Sequence, residues 1–313
     1  MKALVVGGAG FIGSHIVDAL LQKGLEVVVI DNLSSSNHEH IANGAVFYEM
    51  DIFDPELEKV FAQERPDFVF HQAAQVSVAR SMQVPEEDAR MNILGTIHVV
   101  QCAMKYQVKR FIFASSAAVY GTPVTLPVVE KSPLQPTSFY GMSKAFAEEY
   151  IRLFSSLGSM EYSIFRYANV YGPRQNINGE AGVVVIFLNK LLAGEALNIY
   201  GDGLQTRDFI YVKDIARACI KTIYTNDSHI INLSTNKKVS IRTLAELLSE
   251  ITGILNPINH LPAKEGDILH SVLDNRRAQI NLDWVPEKTI EQGLLETYEY
   301  ILHQNKVKRH FIS

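Results

Sequence analysis

Cysteine is scarce in this sequence, and its apolar stretches are short. Two cysteines in 313 residues, Cys102 and Cys219, exclude a disulfide framework, and no Cys-x-x-Cys pair is present for zinc or redox chemistry. The run Val183 to Leu188 is far shorter than the roughly 20 apolar residues of a membrane-spanning helix. The N-terminus also lacks a secretory signal pattern. We therefore expect a cytoplasmic protein that does not enter a membrane.

A strong charge of either sign is also missing. Lys and Arg total 29 and Asp and Glu total 34, so the net charge is −5, and no global basic field exists to attract nucleic acid. Hydrophobic residues make up 47% of the chain, which excludes a disordered or collagen-like protein. If the protein binds phosphate groups, a local site must do so.

Short apolar runs alternate with helical patterns through the first half of the chain. Strands are expected near residues 4–6, 27–30, 45–48, 68–70, 111–114 and 162–167, and helices over 11–22, 57–63, 85–105 and 138–157. Continuous apolar strands separated by helices are typical of a parallel sheet covered on both faces. We therefore predict an α/β fold, a Rossmann-like doubly wound sheet.

The pattern changes after Tyr171. Residues 172–182 are rich in Gly, Asn, Gln and Pro, which indicates an active-site loop; a helix over 183–192, a strand over 198–200 and a helix over 240–252 follow. We predict a sheet domain formed by 1–171 plus about 206–234. A smaller α/β domain is expected from about 172–205 plus 235–313, with Trp284 in its core or rim.

A glycine-rich turn follows the first predicted strand. Gly7, Gly10 and Gly13 form Gly-x-x-Gly-x-x-Gly before the first helix, so the backbone can turn tightly and a pyrophosphate can approach the helix N-terminus. Asp31 ends the next strand, where a carboxylate can accept hydrogen bonds from both ribose hydroxyls. No Lys or Arg lies between Gly24 and Glu58 to hold a 2′-phosphate. The pattern favours NAD over NADP, although a glycine-rich turn can also be purely structural.

A second motif places a base opposite this turn. Tyr140 and Lys144 are four residues apart, hence on one face of a helix, and a lysine cation beside a phenol favours the phenolate. Ser116 ends the preceding strand, at the edge where open α/β sheets bind ligands. The same Tyr-Lys spacing occurs on many exposed helices, so the spacing alone does not indicate a catalytic pair. The position of the pair at the start of the helix after the fifth strand is what favours a catalytic role.

The sequence does not support three other kinds of catalytic site: a metal site, a serine nucleophile and a histidine base. The run His38-Glu39-His40 lacks a third metal ligand at helical spacing, and no metal site is predicted. The segment around Ser143 lacks the second glycine of a nucleophile elbow. His71, at the end of a strand, is expected to be structural rather than a base.

Together these motifs resemble the extended short-chain dehydrogenase/reductases, and within them the nucleotide-sugar 4-epimerases of the UDP-glucose (UDP-galactose) type. The resemblance covers essentially the whole chain. It is carried by Gly7 to Gly13, Asp31 to Ser34, Asp51-Ile52, His71 to Ala74, Asn92-x-x-Gly95-Thr96, Ser115 to Gly121, Tyr140 to Lys144, Arg166 to Arg174, Gly201 to Gly203, Arg207 to Phe209 and Gly266-Asp267.

The resemblance implies roles for individual residues. Ser116, Tyr140 and Lys144 would be catalytic. The residues implied to hold NAD are Gly7, Gly10, Phe11, Ile12, Gly13, Asp31, Asn32, Ser34, Ser35, Asp51, Ile52, Ala73, Ala74, Asn92, Ala114, Tyr140, Lys144 and Tyr167. Those implied to hold a UDP-sugar are Ser116, Tyr140, Asn169, Val183, Val184, Asn198, Tyr200, Arg207, Lys264 and Asp267. A homodimer paired through a four-helix bundle is also implied.

The reaction class depends on the residues before Val119. By the resemblance, sugar 4,6-dehydratases carry Asp-Glu there and UDP-glucuronate decarboxylases carry Glu, whereas this chain has Ala117-Ala118, which cannot transfer a proton. Oxidation of a hydroxyl and return of the hydride suit a 4-epimerase. The alternatives are a net NAD(P)-dependent reductase of the same fold and a non-catalytic NAD-binding protein.

The preferred sugar is open at this point. Ser271 lies near a position that is bulky in epimerases restricted to glucose and galactose, so UDP-GlcNAc is a second candidate substrate. Lys264 stands where the family usually has a phosphate-binding Arg. UDP-glucuronate would need a cation near C6, and Arg174 is the candidate, although Glu180 in the same loop argues against it.

Overall fold

The computed structural model describes residues 1–176, 182–263 and 268–312, with side chains as far as residue 306. The strands are β1 (Lys2–Val6), β2 (Glu26–Asp31), β3 (Val46–Glu49), β4 (Phe68–His71), β5 (Arg110–Ser116), β6 (Glu161–Tyr167), β7 (Asn169–Tyr171), β8 (Leu197–Tyr200), β9 (Thr206–Arg207), β10 (Phe209–Tyr211), β11 (His229–Leu233), β12 (Val239–Ser240) and β13 (Ile258–Leu261).

The helices are α1 (Phe11–Gln22), α2 (Leu57–Glu64), α3 (Val78–Gln83), α4 (Pro85–Ala89), α5 (Gly95–Lys105), α6 (Phe139–Ser156), α7 (Val183–Ala193), α8 (Val212–Lys221), α9 (Ile241–Thr252), α10 (Arg276–Leu282) and α11 (Ile290–Ile312). In the described part of the chain, none of them combines the length and apolarity needed to cross a lipid bilayer.

Seven of the described strands form one sheet in the order β11-β6-β5-β4-β1-β2-β3. All its neighbouring strands run parallel, and the register pairs Val5 with Val29 and with Phe70. Consecutive residues of a strand face opposite sides, and here both sides are apolar. Val5 belongs to the core on one side, and Leu4 to the core on the other. The α/β prediction of a doubly wound parallel sheet is confirmed.

The predicted helix over 85–105 is interrupted. A π-helical turn, Arg90–Leu94, separates α4 from α5, and the preceding helix α3 was not predicted. A π turn is a rare single-turn insertion within a helix, and the sequence pattern predicts this segment as one continuous α-helix. The turn places Asn92 among buried polar groups behind the sheet edge.

A further apolar core lies beside the sheet. It joins α7, α9 and α11 with β8 and β10, and Leu188, Leu244 and Leu294 are fully buried in it. Ser240 caps α9, since its hydroxyl accepts a hydrogen bond from the Thr243 N–H at 2.9 Å. This smaller unit stands next to the carboxyl ends of the strands, where it can close one side of a cleft.

Trp284 does not lie in the core of the smaller unit. It is fully buried in the core on the α1 side of the sheet, together with Ala278 and Leu282 around α10. Its indole N–H donates to the Asp214 carbonyl at 3.0 Å. Part of the segment after residue 235 therefore packs on the sheet. The domain boundaries themselves stay a prediction.

Candidate active site

The glycine-rich turn joins β1 to α1 with no room for side chains. A Cβ on Gly13 would lie 2.0 Å from the Gly7 carbonyl oxygen, and Gly7 itself has φ +81°. The Gly7 N–H donates to the Ile30 carbonyl of β2 at 2.7 Å, and Gly10 is the N-cap of α1. The turn therefore brings bare backbone and a helix N-terminus to the sheet edge, which is the arrangement that holds a pyrophosphate.

Asp31 braces the loop after β2 against this turn. One carboxylate oxygen accepts the Ala9 N–H at 3.0 Å, and the other accepts the Leu33 N–H at 2.9 Å and the Ser36 hydroxyl at 2.7 Å. Asn32 donates to the Asp51 carboxylate at 2.8 Å. The oxygen that accepts the Ala9 N–H has a second lone pair for a ribose hydroxyl, and the negative charge of this corner repels a phosphate.

A cavity of about 1090 Å³ runs along the carboxyl ends of the central strands. Most predicted site residues line it, which places the glycine turn and the Tyr-Lys pair in one connected space. They are Gly7, Gly10, Phe11, Ile12, Gly13, Asp31, Asn32, Ser34, Ser35, Asp51, Ile52, Ala73, Ala74, Ala114, Ser116, Tyr140, Lys144, Tyr167, Asn169 and Arg207.

Tyr140 and Lys144 begin α6, whose N-cap Ser138 accepts the Gly141 N–H at 3.1 Å. The Lys144 ammonium lies 6.0 Å from the centre of the Tyr140 ring and donates to the Ala114 carbonyl at 2.9 Å. Burial lowers the pKa of Lys144 to about 8, against the opposing effect of the Asp88 and Glu148 carboxylates. The predicted pair therefore shares one helix face beside the end of β5.

Ser116 lies across from Tyr140 at the end of β5. Its hydroxyl oxygen accepts the Ala118 N–H at 3.1 Å and so caps the short turn over Ala117–Tyr120. The hydroxyl proton stays available for a ligand because this contact uses only the oxygen. Ala117 and Ala118 also line the cavity, and neither can give or take a proton.

Several predicted residues are not on the cavity wall. The Asn92 amide is enclosed by Gln75, Asp88 and Ser143, and it ties the π turn to α6 at 3.1 Å from the Ser143 hydroxyl.

The others belong to the smaller unit. Val183 and Val184 start α7, but Val185 and Asn189 face the cavity instead. Asn198 and Tyr200 lie on β8, which pairs with β13 away from the wall. Lys264, Asp267 and Glu180 lie outside the described residues.

Other residues on the wall were not predicted from the sequence. Gln72 lies within the motif after β4, and its side-chain oxygen is 3.4 Å from the Tyr167 hydroxyl. Tyr300 and Gln304 of α11 reach the cavity from the far end of the chain, which no local signal indicates. Val76 and Met82 form an apolar section near α3.

Arg174 also lines the cavity, but its position does not suit a C6 carboxylate. It forms an ion pair with Asp18 of α1 at 2.7 Å. Its charge also acts on His15 and His40, which lie on α1 and on the loop after β2. This places Arg174 at the end of the cavity that holds the glycine turn.

His71 is a structural side chain, as expected. It is 1% exposed, lies 3.1 Å from the Thr96 hydroxyl through Nε2, and burial lowers its pKa to about 3. No cluster of three His, Cys, Asp or Glu side chains suited to a metal ion occurs within the residues the structure describes.

Comparison with known proteins supports the same family as the motifs. The model of the NAD dependent epimerase/dehydratase family matches residues 3–234. The chain is 40% identical to a putative UDP-glucose 4-epimerase of Methanocaldococcus jannaschii over 304 residues, which covers 97% of this chain and 99% of the relative.

Solved structures match over nearly the whole chain. UDP-glucose 4-epimerase of Thermotoga maritima with UDP-glucose has a TM-score of 0.94 at 43% identity, covering 97% of this chain and 100% of that one. UDP-N-acetylglucosamine 4-epimerase of Methanobrevibacter ruminantium, in complex with UDP-N-acetylmuramic acid, has a TM-score of 0.92 at 36% identity, covering 97% and 98%. This protein therefore belongs to the NAD dependent epimerase/dehydratase family.

Proposed function

We propose that this protein is an isomerase, an NAD-dependent 4-epimerase of UDP-hexoses. The observation that carries the proposal is the single cavity wall on which Ser116, Tyr140 and Lys144 face the glycine turn. The alanines at 117 and 118 limit the available chemistry to taking and returning one hydride and one proton. The relatives named above are a putative UDP-glucose 4-epimerase and two solved UDP-sugar 4-epimerases, which supports the same reaction here.

The cavity fits NAD. Gly7 and Gly13 leave a cradle that a Cβ would fill, and Asp31 offers carboxylate oxygens where the adenosine ribose would lie. Lys144 would donate to the other ribose, and Tyr167 would contact the nicotinamide. When bound, NAD supplies reversible hydride acceptance from C4′ of the sugar.

Tyr140 and Ser116 handle the proton. The phenolate takes the proton of the 4′-hydroxyl, and the buried Lys144 cation stabilises that phenolate. Ser116 donates a hydrogen bond to the 4′-oxygen and holds it beside Tyr140. The resulting 4-keto sugar turns about its diphosphate link, and Tyr140 then returns the proton to the oxygen of the epimer.

The diphosphate is proposed to lie between Asn169 and Arg207. The Arg207 guanidinium is held by the Thr206 and Ile268 carbonyls at 3.0 and 2.6 Å, which aims a fixed cation into the cavity. Lys264 and Asp267 remain proposed substrate contacts. A firmly held diphosphate lets the keto sugar turn without leaving the site.

We further propose UDP-glucose and UDP-galactose as substrates, with UDP-GlcNAc and UDP-GalNAc also accepted. Ser271 lies on the wall near Arg207, and its small side chain leaves space for an N-acetyl group. UDP-glucuronate is the less favoured alternative, because Arg174 is paired with Asp18 at the other end of the cavity.

The direct test is to incubate the purified protein separately with UDP-glucose, UDP-GlcNAc and UDP-glucuronate, without added NAD, and to follow the sugar product by proton NMR. A C4 epimer without added cofactor is the expected result. Stoichiometric consumption of NADH would support the reductase alternative, and no turnover of any of the three, even with NAD supplied, would reject the UDP-hexose epimerase. Ser271→Tyr should slow UDP-GlcNAc at least 10-fold more than UDP-glucose, and Ser271→Ala is its matched control.

A homodimer in the cytoplasm completes the proposal. Along α6 and its C-cap residue, Met142, Phe146, Leu153 and Leu157 are 43–73% exposed and recur at helical spacing on one face. Leu94, in the adjacent π turn, is 55% exposed. A second copy of the same surface would cover this stripe by forming a four-helix bundle.

A further inference from the structure

A buried ion pair lies directly behind the wall that carries Ser116 and Tyr140. It joins Glu148 of α6 to Arg166 of β6, with side chains 0% and 4% exposed. Arg166 donates through Nε at 3.0 Å and through Nη2 at 2.6 Å to the two carboxylate oxygens. Two parallel charge-assisted bonds between enclosed groups define both distance and orientation.

Each member of the pair is connected to the wall. The Ser115 hydroxyl donates to Glu148, and Ser115 precedes Ser116 on β5, so the two serines face opposite sides of the strand. Arg166 likewise precedes Tyr167. The pair therefore holds two strand ends from behind while the next residue of each strand faces the cavity.

Arg166 also holds the turn over residues 117–120. Its Nη1 donates to the Tyr120 hydroxyl at 2.9 Å, and its guanidinium lies 4.9 Å from the centre of the Tyr120 ring. The Tyr120 hydroxyl in turn donates to the Asn232 amide oxygen of β11 at 2.7 Å. The turn is therefore fixed by Ser116 at its start and by the Arg166–Tyr120 contact at its end.

The backbone of α6 rests on this same turn. A Cβ on Gly141 would lie 2.4 Å from the Ala118 carbonyl oxygen, so helix and turn are in direct contact beside Tyr140. A shift of the turn therefore shifts Tyr140. Small displacements of a proton-transfer group lower the reaction rate strongly.

We propose that Glu148 and Arg166 are positioning residues of this enzyme, which act through Tyr120 and the turn over residues 117–120 to fix the spacing between the Ser116 hydroxyl and the Tyr140 phenol. The inference rests on the proposed function, because that spacing is where the 4′-hydroxyl would bind. Glu148 has a second effect, since its carboxylate lies one helical turn after Lys144 and opposes the burial that lowers the pKa of Lys144.

Two variants test the proposal against one matched control. Glu148→Gln keeps the shape and removes the charge, and Tyr120→Phe keeps the ring and removes the hydroxyl. Glu64→Gln is the control, because Glu64 is a buried, ion-paired carboxylate at the opposite end of the sheet, 2.9 Å from Lys2. We expect kcat to fall at least about 10-fold in the two test variants with KM within about twofold, and neither to change in the control.

The pH profile separates positioning from mere stability. In Glu148→Gln the alkaline fall of kcat should move to lower pH, because Lys144 loses its proton more easily. Tyr120→Phe should lower kcat and leave that limb in place. If Glu148→Gln does not fold, the kcat of Tyr120→Phe tests the proposal alone: the predicted fall supports it, and an unchanged kcat contradicts it.

A substrate-free measurement distinguishes failure of this inference from failure of the proposed function. Phenolate absorbance is titrated against pH in each protein and in the same protein with Tyr140→Phe added. The difference between the two titration curves reports Tyr140 alone. A midpoint in Glu148→Gln that differs from the wild-type midpoint supports the inference even if no UDP-sugar is turned over. The inference would be overturned if the folded test variants kept the wild-type kcat, pH profile and phenolate titration. A lowered melting temperature with an unchanged kcat would also overturn it.

Discussion

At the scale of residues, burial decides which side chains around the cavity carry a proton. His71 is enclosed and neutral, and burial lowers its pKa to about 3, so it cannot serve as a base that cycles near neutral pH. Lys144 is enclosed as well, and its pKa is lowered to about 8. On the proposed function, Tyr140 would be the group on the wall that exchanges a proton with the sugar hydroxyl.

Replacing Tyr140 by Phe should therefore lower kcat by about 10²–10⁴-fold, the usual contribution of a general acid–base group. The NAD content should stay unchanged, because the ring remains. The measurement is steady-state epimerisation together with bound NAD per chain. Tyr48→Phe is the control: Tyr48 bonds Glu64 at 2.6 Å, remote from the cavity, and its loss should leave kcat unaltered. If Tyr140→Phe were as active as Tyr48→Phe, Tyr140 would not be the acid–base group.

The pH dependence follows from Lys144. Below its pKa of about 8 the residue is a cation and stabilises the Tyr140 phenolate, and above it that cation is lost. We expect kcat to fall as the pH rises above about 8, well before an ordinary lysine would titrate near 10.4. Measuring kcat in overlapping buffers checks this. A plateau that continues into the lysine range would contradict the prediction.

At the scale of elements, the contact between β1 and α1 decides whether a dinucleotide can bind. The two elements approach so closely at Gly7 and Gly13 that even a methyl group would overlap the backbone. The apolar pattern predicts the bounds of α1 as the structure has them, residues 11–22. The close approach itself is a property of the packed loop.

Gly13→Ala should therefore release the cofactor. Its Cβ would lie 2.0 Å from the Gly7 carbonyl oxygen, so the turn must open. We expect the NAD retained through purification to fall at least about 10-fold, measured by absorbance after denaturation. Gly24→Ala is the control, because Gly24 has φ +76° and a Cβ added to it would meet no atom within 4 Å. That change should cost about 1 kcal/mol of stability through backbone strain without loss of NAD.

At the scale of the whole molecule, the site depends on two units meeting. The parallel sheet and the helices packed on it supply the glycine turn and the Tyr-Lys pair, while α7, α11 and the segment around Ser271 form another part of the cavity wall. The apolar stripe on α6 lies on the outside of this assembly. The proposed dimer would cover it without using the cavity wall.

Phe146→Asp combined with Leu153→Asp should convert the proposed dimer to a monomer, because two charges per copy would be buried at the interface. Sedimentation velocity at several concentrations measures the change. Ile280→Asp is the control, since Ile280 is 81% exposed on α10, away from the stripe. A wild-type chain that sediments as a monomer at every concentration would contradict the dimer.

The sequence by itself determined the local features of this protein. The glycine turn, Asp31 and the Tyr-Lys spacing follow from backbone sterics, strand ends and helical period, which act over a few residues. Six of the seven described strands of the parallel sheet follow from their apolar runs, whereas β11 was not predicted. The reaction class was inferred from Ala117-Ala118 only through the family resemblance. In the smaller unit these local rules found α7, β8 and α9 but not α11 or the paired strands β9 and β12.

Only the tertiary structure decided which distant groups meet. Asn92 belongs to a closed network behind the wall, Trp284 packs under the sheet, and Tyr300 reaches the cavity from the last helix. Glu148 and Arg166 give no local signal because each is one charged residue in a helix or strand, 18 positions apart. The fold buries both charges, and an unpaired buried charge would carry a large desolvation cost. The two side chains therefore form an ion pair.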